Sequence, residues 1–443
     1  MNRTGLELGD SQAAAPAPPK GRSELLRRNV LSWAFYDFGS SAFNTLMVTF
    51  IFNYYFVRVL VGDEQYGTVL WTRAINASAV IVALISPVLG AIADFSARKK
   101  LFLVLFALQS ILFTTLLFFV GPGAAIPALL LFLIANTGFE AANVFYYAFL
   151  PEVAEPRTLG RVSGFGFLVG YMGGLLALAI GLGMVRGWVP ETDHLNVRAT
   201  ILLVAGWYFV FSLPMFLFVK EQSVPRTVEG GYIRHGFKRL AETVRHAGHY
   251  REAGKLLVAR MIYNDGLTTV IAMAAIYAGA VLGMTLEQVL TMAIALNVAA
   301  GIGAFGFGYL DDRIGGKKTI TISLVLLTVA GVIGVTTTTV SGFWVAATLI
   351  GLMMGPNQSA SRSLLTRLVP EHKHAEFFGL YAFSGKMSSI FGPLVYGAVV
   401  ASTANHKLAM SSIIGFFIIG GVILQFVHER EGIALARAAE AQV

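Results

Sequence analysis

Seven ionisable residues stand inside stretches that are otherwise apolar. The acids are Asp37, Glu140 and Asp265; the bases are Arg73, Arg260, Arg362 and Lys386. A charge at the centre of a bilayer costs at least about 2.5–3.5 kcal/mol on insertion scales, so each should face a cavity or a partner. Asn136, Asn143, Asn264, Asn297, Asn357 and Gln358 are their polar companions. This set can recognise ions. It cannot do covalent catalysis, because no nucleophile–base pair lies among these residues. Metal chemistry is not expected either: the chain has no cysteine, and its eight histidines show no H-E-x-x-H spacing.

Helical spacing groups the residues. Asn136, Glu140 and Asn143 step by four and three, which puts them on one helix face. Gln358 and Arg362 step by four. At 1.5 Å per residue Asp37 lies roughly 9 Å inside its helix, and Asp265 about as deep in a later one. Arg260, Arg362 or Lys386 could hold a substrate carboxylate. Asp37 or Glu140 could hold an ammonium group, with Tyr36, Asn143, Tyr147, Asn264, Asp265 and Gln358 around them. That suits a zwitterion such as an amino acid. The alternative is a set of fixed ion pairs, which also satisfies the membrane. Asp37 and Glu140 are the candidates to load and release a proton; uniport or exchange without one is the alternative.

The elements that must position these residues are membrane helices. Of the 443 residues, 56% are hydrophobic and 13% charged, against roughly 45–50% and about 25% for a soluble domain. Mean hydropathy is +0.68. A soluble globule, a disordered chain and an ordinary nucleic-acid binder are excluded. About twelve runs reach the roughly 20 residues that a crossing needs. They lie near 31–58, 67–93, 101–120, 124–148, 161–186, 199–219, 256–282, 287–310, 318–338, 342–366, 375–402 and 407–427. No alternating pattern suggests a barrel. The net charge of +8 concentrates in loops on one side, so the positive-inside rule puts both termini in the cytoplasm, and in the inner membrane if the source is bacterial. Residues 1–30 read as a disordered tail rather than a signal peptide, since no apolar stretch precedes Leu31. Residues 220–255 read as a basic linker. Ile233, Phe237, Leu240 and Val244 recur there at helical spacing, which suits a helix on anionic lipid or a solvated one. Residues 428–443 read as a second cytoplasmic tail.

The two halves, 31–219 and 256–427, repeat each other. Leu150-Pro151-Glu152 returns 219 residues later as Val369-Pro370-Glu371, and Gly160, Gly166 and Gly173 return as Gly379, Gly385 and Gly392. At the same offset Asn143 answers to Arg362. Gly90…Asp94…Lys99 returns 218 residues later as Gly308…Asp312…Lys317. Each glycine lets two helix ends approach. Each aspartate can pair with the basic residues beside it, Arg98, Arg313 and Lys317, and with the positive N-terminus of a neighbouring helix. Such a contact would latch one side and break when the halves rock; a merely topogenic loop is the alternative. Glycines crowding 160–174 and 301–308 read as close helix packing, not as a phosphate loop.

Two six-helix halves around a midplane site is the architecture of a major facilitator transporter, an all-α polytopic fold. The repeated loop motif fits that superfamily's signature. Trp33-Ala-Phe-Tyr36-Asp37-Phe-Gly-Ser-Ser-Ala-Phe43 resembles the first-helix signature of its vacuole-effluxer-like branch, whose eukaryotic members are the autophagy-related vacuolar amino-acid effluxers. Tyr146-Tyr147-Ala-Phe-Leu-Pro151-Glu152, Tyr263-Asn-Asp265-Gly266, Gln358-Ser-Ala-Ser-Arg362-Ser and Phe377-Phe-Gly379-Leu-Tyr381 support it. Phe38-Gly39 stands where Trp-Ala is usual. The resemblance implies release of amino acids by a gradient-driven carrier whose first, fourth, seventh and tenth helices line the cavity. Expected partners are a small solute, protons and lipid, with the chain a monomer. No cofactor, enzymatic activity or nucleic-acid binding is expected. Transport of a peptide, drug or metabolite, or a non-transporting receptor, are the alternatives.

Overall fold

The computed structural model describes residues 24–222, 250–389 and 391–441. Among them the chain is helical, and it forms an integral, multi-pass membrane protein. The first half comprises α1 (Arg28–Val61), α2 (Glu64–Ser96), α3 (Lys99–Leu117), α4 (Ala125–Ala148), α5 (Leu159–Gly183) and α6 (Leu195–Phe218). The second comprises α7 (Arg251–Leu282), α8 (Leu286–Ile314), α9 (Gly316–Thr336), α10 (Val340–Leu368), α11 and α12 (His406–Gln425). The amphipathic segment at 233–244 lies outside the described residues, as does most of the first tail.

Among the described residues eleven helices are long and apolar enough to cross a membrane unbroken. The twelfth crossing, α11, comes in two pieces, α11a (His374–Met387) and α11b (Phe391–Thr403). The cause is local. Pro393 has no N–H to give an upstream carbonyl. The Ser388 and Ser389 hydroxyls instead cap the carbonyls of Gly385 and Lys386. Helix α1 is irregular too: Phe43–Phe50 and Phe56–Val61 are π-helical, a wider turn often found at functional sites.

The described ends of the chain share one face, here the terminal face. Arg27 pairs there with Glu155, and the backbone N–H of Glu371 bonds to Glu440. The second tail is helical there, as α13 (Glu429–Glu440). Gly432 and Ala436 are its buried positions, and Gly432 packs on Leu368 of α10 and Glu252 of α7. It is too short and too charged for a search for membrane-length runs to find.

Two seams join the halves: α2 against α11a, and α5 against α8. Glycine makes both possible. A Cβ on Gly90 would overlap the carbonyl oxygen of Ala375, and one on Gly164 would overlap that of Ala304. Backbones in contact give dispersion in lipid, where no hydrophobic drive holds helices together.

Candidate functional site

Each seam is locked on the terminal face by an aspartate from one half capping a helix of the other. Asp94, at the end of α2, accepts the N–H groups of Ala375 (3.1 Å) and Glu376 (2.8 Å) at the start of α11a. Asp312, at the end of α8, accepts those of Gly160 (2.8 Å) and Arg161 (3.2 Å) at the start of α5. Arg161 closes a charged bond on the same carboxylate at 2.7 Å. The first N–H groups of a helix lack internal partners and carry partial positive charge, so a carboxylate suits them.

The cations differ from those expected. Arg98 and Arg313 are exposed and enter no ion pair among the described residues. Lys99 does the work instead. It is 2% exposed, 2.9 Å from Glu152 and 3.8 Å from Asp94. In the second copy Arg367 reaches both Asp311 (2.9 Å) and Asp312 (3.3 Å). Lys317 turns to the Gln425 carbonyl. The physical reason is helix phase. Arg98 is the residue before α3 and points to water, whereas Lys99, its first residue, faces the seam.

Two further acids were not foreseen. Glu221, beyond α6, accepts the N–H groups of Lys99 and Lys100. Glu429, beyond α12, accepts those of Gly316 and Lys317. A signal exists: Val219-Lys-Glu221 returns as Val427-His-Glu429.

Beyond the latches, a cavity of about 470 Å³ lies toward the opposite face. On its first-half side Ser41, Asn44 and Thr45 of α1 line it with Gly170 and Gly174 of α5. Its second-half side is almost wholly apolar, for example Val270, Ile271 and Ala274 of α7, with Asn297 as an exception.

Asp37 stands at the edge of this lining, one turn below Ser41 and directly over Gly170, where a Cβ would crowd its carboxylate. Among the described residues no ion pair and no hydrogen bond of full geometry reaches its carboxylate, the hydroxyls of Ser41 and Tyr146 being the donors beside it. The charged group that acts on it is Arg362 of α10, which does not touch it. Arg362 is 1% exposed. Its Nε and one terminal nitrogen bond to the hydroxyl (3.0 Å) and carbonyl (2.8 Å) of Ser163 on α5, and Ser163 also donates to the Ser359 carbonyl at 2.9 Å. Its other terminal nitrogen, Nη1, is buried without a partner. Phe167, Trp33 and Tyr147 rings lie 4.5–5.1 Å from the guanidinium carbon, within cation–π range.

Glu140 and Lys386 form a direct ion pair between α4 and α11a, each about a quarter exposed. It is a fourth tie across the halves, after the two latches and the Arg362–Ser163 bonds. Asn143 and Tyr147 flank it on α4, half-buried and with no side-chain hydrogen bond among the described residues.

The other expected residues sit elsewhere. Tyr36 is fully buried and shares a 2.7 Å bond with Tyr208, inside the first half. Asp265 caps α11b, accepting from Phe391 (3.2 Å) and Gly392 (2.8 Å). Asn264 bridges Ser388 at the α11 break and Gln358 of α10. Arg260 braces α11a from within the second half, bonding the Tyr381 carbonyl (3.1 Å) and Ser384 (3.0 Å) and stacking on the Tyr381 ring. Asn136 bonds Ser78 of α2. The structure thus brings together Asp37, Tyr147 and Arg362, with Glu140, Asn143 and Lys386 beside them, and assigns Asp265, Asn264, Gln358 and Arg260 to the frame of the broken helix.

Two pseudo-symmetric halves, cross-capped seams and unspent charge beside a central cavity define a transporter of the major facilitator class. Solved structures of that class agree in fold. The human organic anion transporter MFSD10 superposes with a TM-score of 0.71 at 14% identity, over 91% of this chain and all of that one. FucP in its outward conformation also gives 0.71, at 16% identity, over 92% and 99%. The family follows from sequence: the model for "Vacuole effluxer Atg22 like" proteins matches residues 55–437, and the chain belongs to that family. Relatives include an uncharacterized MFS-type transporter, YxiO, of Bacillus subtilis, 31% identical over 90% of this chain and 94% of that one. Autophagy-related protein 22-1 of Penicillium rubens is 24% identical over 78% and 72%.

Proposed function

We propose that the protein is a secondary transporter that carries a small zwitterion, an amino acid in the simplest case, by alternating access. The observation that supports this best is Asp37: a carboxylate inside the membrane, beside the cavity, with no cation paired to it among the described residues. Such a charge calls for a cation. A substrate ammonium would serve, and so would a proton. The carboxylate end of a zwitterion would meet Lys386, displacing Glu140 and leaving it to take up a proton. Arg362 would supply the second positive charge. The arrangement suits a state closed on the terminal face; the basic loops support a cytoplasmic terminal face, at the inner membrane if the source is bacterial. A monomer suffices for this cycle, and nothing in it is enzymatic.

The test is thermal stabilisation of the purified protein by amino acids, dipeptides, sugars and organic acids at pH 5.5 and 7.5, since a ligand of the folded state raises apparent stability by mass action. We expect a shift with amino acids that is lost in Asp37→Asn and in Lys386→Ala. Undiminished shifts in both variants would sink the reading. A shift with only another solute class would keep the carrier and discard the amino acid.

A further inference from the structure

Tyr146 holds a position that the transport reading does not use. Its ring is clamped from both sides, stacked on Trp33 at 4.7 Å and on Tyr36 at 4.9 Å. The Trp33 indole N–H donates to its carbonyl at 3.0 Å. The residue is fully buried, yet its hydroxyl has no hydrogen-bond partner. A buried hydroxyl left unbonded costs about 1–3 kcal/mol, and such exceptions in a structure need a reason.

The hydroxyl lies between two other unspent groups. It neighbours the Asp37 carboxylate on one side and the Arg362 guanidinium on the other, close enough to interact with both but outside full hydrogen-bond geometry to either. Arg362 offers the matching vacancy, the unpartnered Nη1. A phenol can donate one proton and accept at the same time. It can therefore donate to Asp37 while accepting from Arg362, and a charged group at each end strengthens such a chain. The other charged or titratable groups facing Asp37 are the phenols of Tyr36, Tyr147, Tyr171 and Tyr208. None of them is an anion that could replace it.

The remaining nitrogens of Arg362 hold Ser163 across the contact between α10 and α5, which also joins the halves. A pull on Arg362 from α1 and α4 is thus a pull that keeps the halves together on the terminal face. We infer that Tyr146 is the positioning residue that couples neutralisation of Asp37 to release of the Arg362–Ser163 tie. With Asp37 ionised, the chain Asp37–Tyr146–Arg362 favours the closed face. Once a proton or a substrate ammonium neutralises Asp37, the attraction at its far end is spent. Arg362 is then held by Ser163 alone, and the loaded carrier opens. The inference rests on the alternating-access reading.

The chain has no cysteine of its own, so two spin labels can be attached without a background. Arg157→Cys and Lys318→Cys put one exposed label on each half of the terminal face. Asp37→Asn mimics neutralisation and should raise the ratio of long to short distances by roughly three- to tenfold, the size of one net hydrogen bond. In the Tyr146→Phe background, where the ring stack survives, Asp37→Asn should add no further change. Ser163→Ala removes the hydroxyl that Arg362 Nε bonds, though not the carbonyl, and should raise the long-distance fraction by a similar factor whatever stands at position 37. An equal response to Asp37→Asn with and without the phenol hydroxyl overturns the inference and leaves alternating access intact. A single distance in every variant overturns both.

Discussion

At the residue scale, the cost of burying charge explains most of what the site contains. Lys99 is the sharpest case, a cation 2% exposed between Asp94 and Glu152. Removing one partner of a buried ionic group leaves the others uncompensated, which costs about 3–5 kcal/mol. Lys99→Met should therefore lower the melting temperature by many degrees, whereas Arg98→Ala and Arg313→Ala should leave it unchanged; thermal unfolding of the purified variants measures both. Asp94→Asn removes the charge that serves two helix N–H groups, and is expected to cut transport while the protein still folds. Normal flux in that variant would end the latch reading. A pH effect belongs to Glu371, in the loop before α11a. Burial, and then the neighbouring Glu440, push its carboxyl above the ordinary glutamate range. The folded chain holds that proton more tightly than the unfolded chain does. Its contribution to stability is full below the ordinary glutamate value and is lost as pH rises through the raised one. Glu371→Gln should flatten that fall in melting temperature. The gain at neutral pH should stay under about 1 kcal/mol, because the side chain is largely at the surface.

Much of this site was legible in the sequence, because intramembrane charge is rare and stands out. Asp37, Glu140, Arg362 and Lys386 all surfaced that way, whereas both latch aspartates surfaced through the repeated loop motif. What stayed hidden was direction. Arg98 and Lys99 are adjacent in sequence but fall on either side of the start of α3, and only packing tells which one is buried. Asp265 and Asn264 carried the same signal as Asp37, yet they serve a helix end that no periodicity announces. Tyr146 and Ser163 are neutral and common residue types. They acquire a role only through Arg362, which lies 216 and 199 residues away from them in the chain.

At the scale of elements, the seams and the broken helix carry the behaviour. Gly90→Ala would push a methyl group into the Ala375 carbonyl, and Gly164→Ala would do so at Ala304. Overpacking of this kind costs about 1–3 kcal/mol. Because both sites lie between the halves, that cost falls on the closed state alone. Each variant should shift the spin-label distances toward the open form with little loss of folding. The break in α11 is stabilised from α7, through Asp265 on the N–H groups of Phe391 and Gly392. Asp265→Ala should lose about 1 kcal/mol of capping. Transport should fall further than that loss of stability suggests, since discontinuous helices flank the binding sites of many carriers.

At the scale of the whole molecule, the two halves meet face to face but are each finished from within. The segment leaving α6 returns to cap α3 through Glu221, and the segment leaving α12 returns to cap α9 through Glu429. Each bundle is therefore tied, last helix to third, by its own carboxylate. The covalent link between Gln222 and Tyr250 is not what makes either bundle complete. Cut there, the protein should behave as a heterodimer: the two fragments, made together, should assemble, bind solute and transport, while either alone should not. On that outcome, what reads as one chain with a repeat works, in its mechanics, as a pair of subunits.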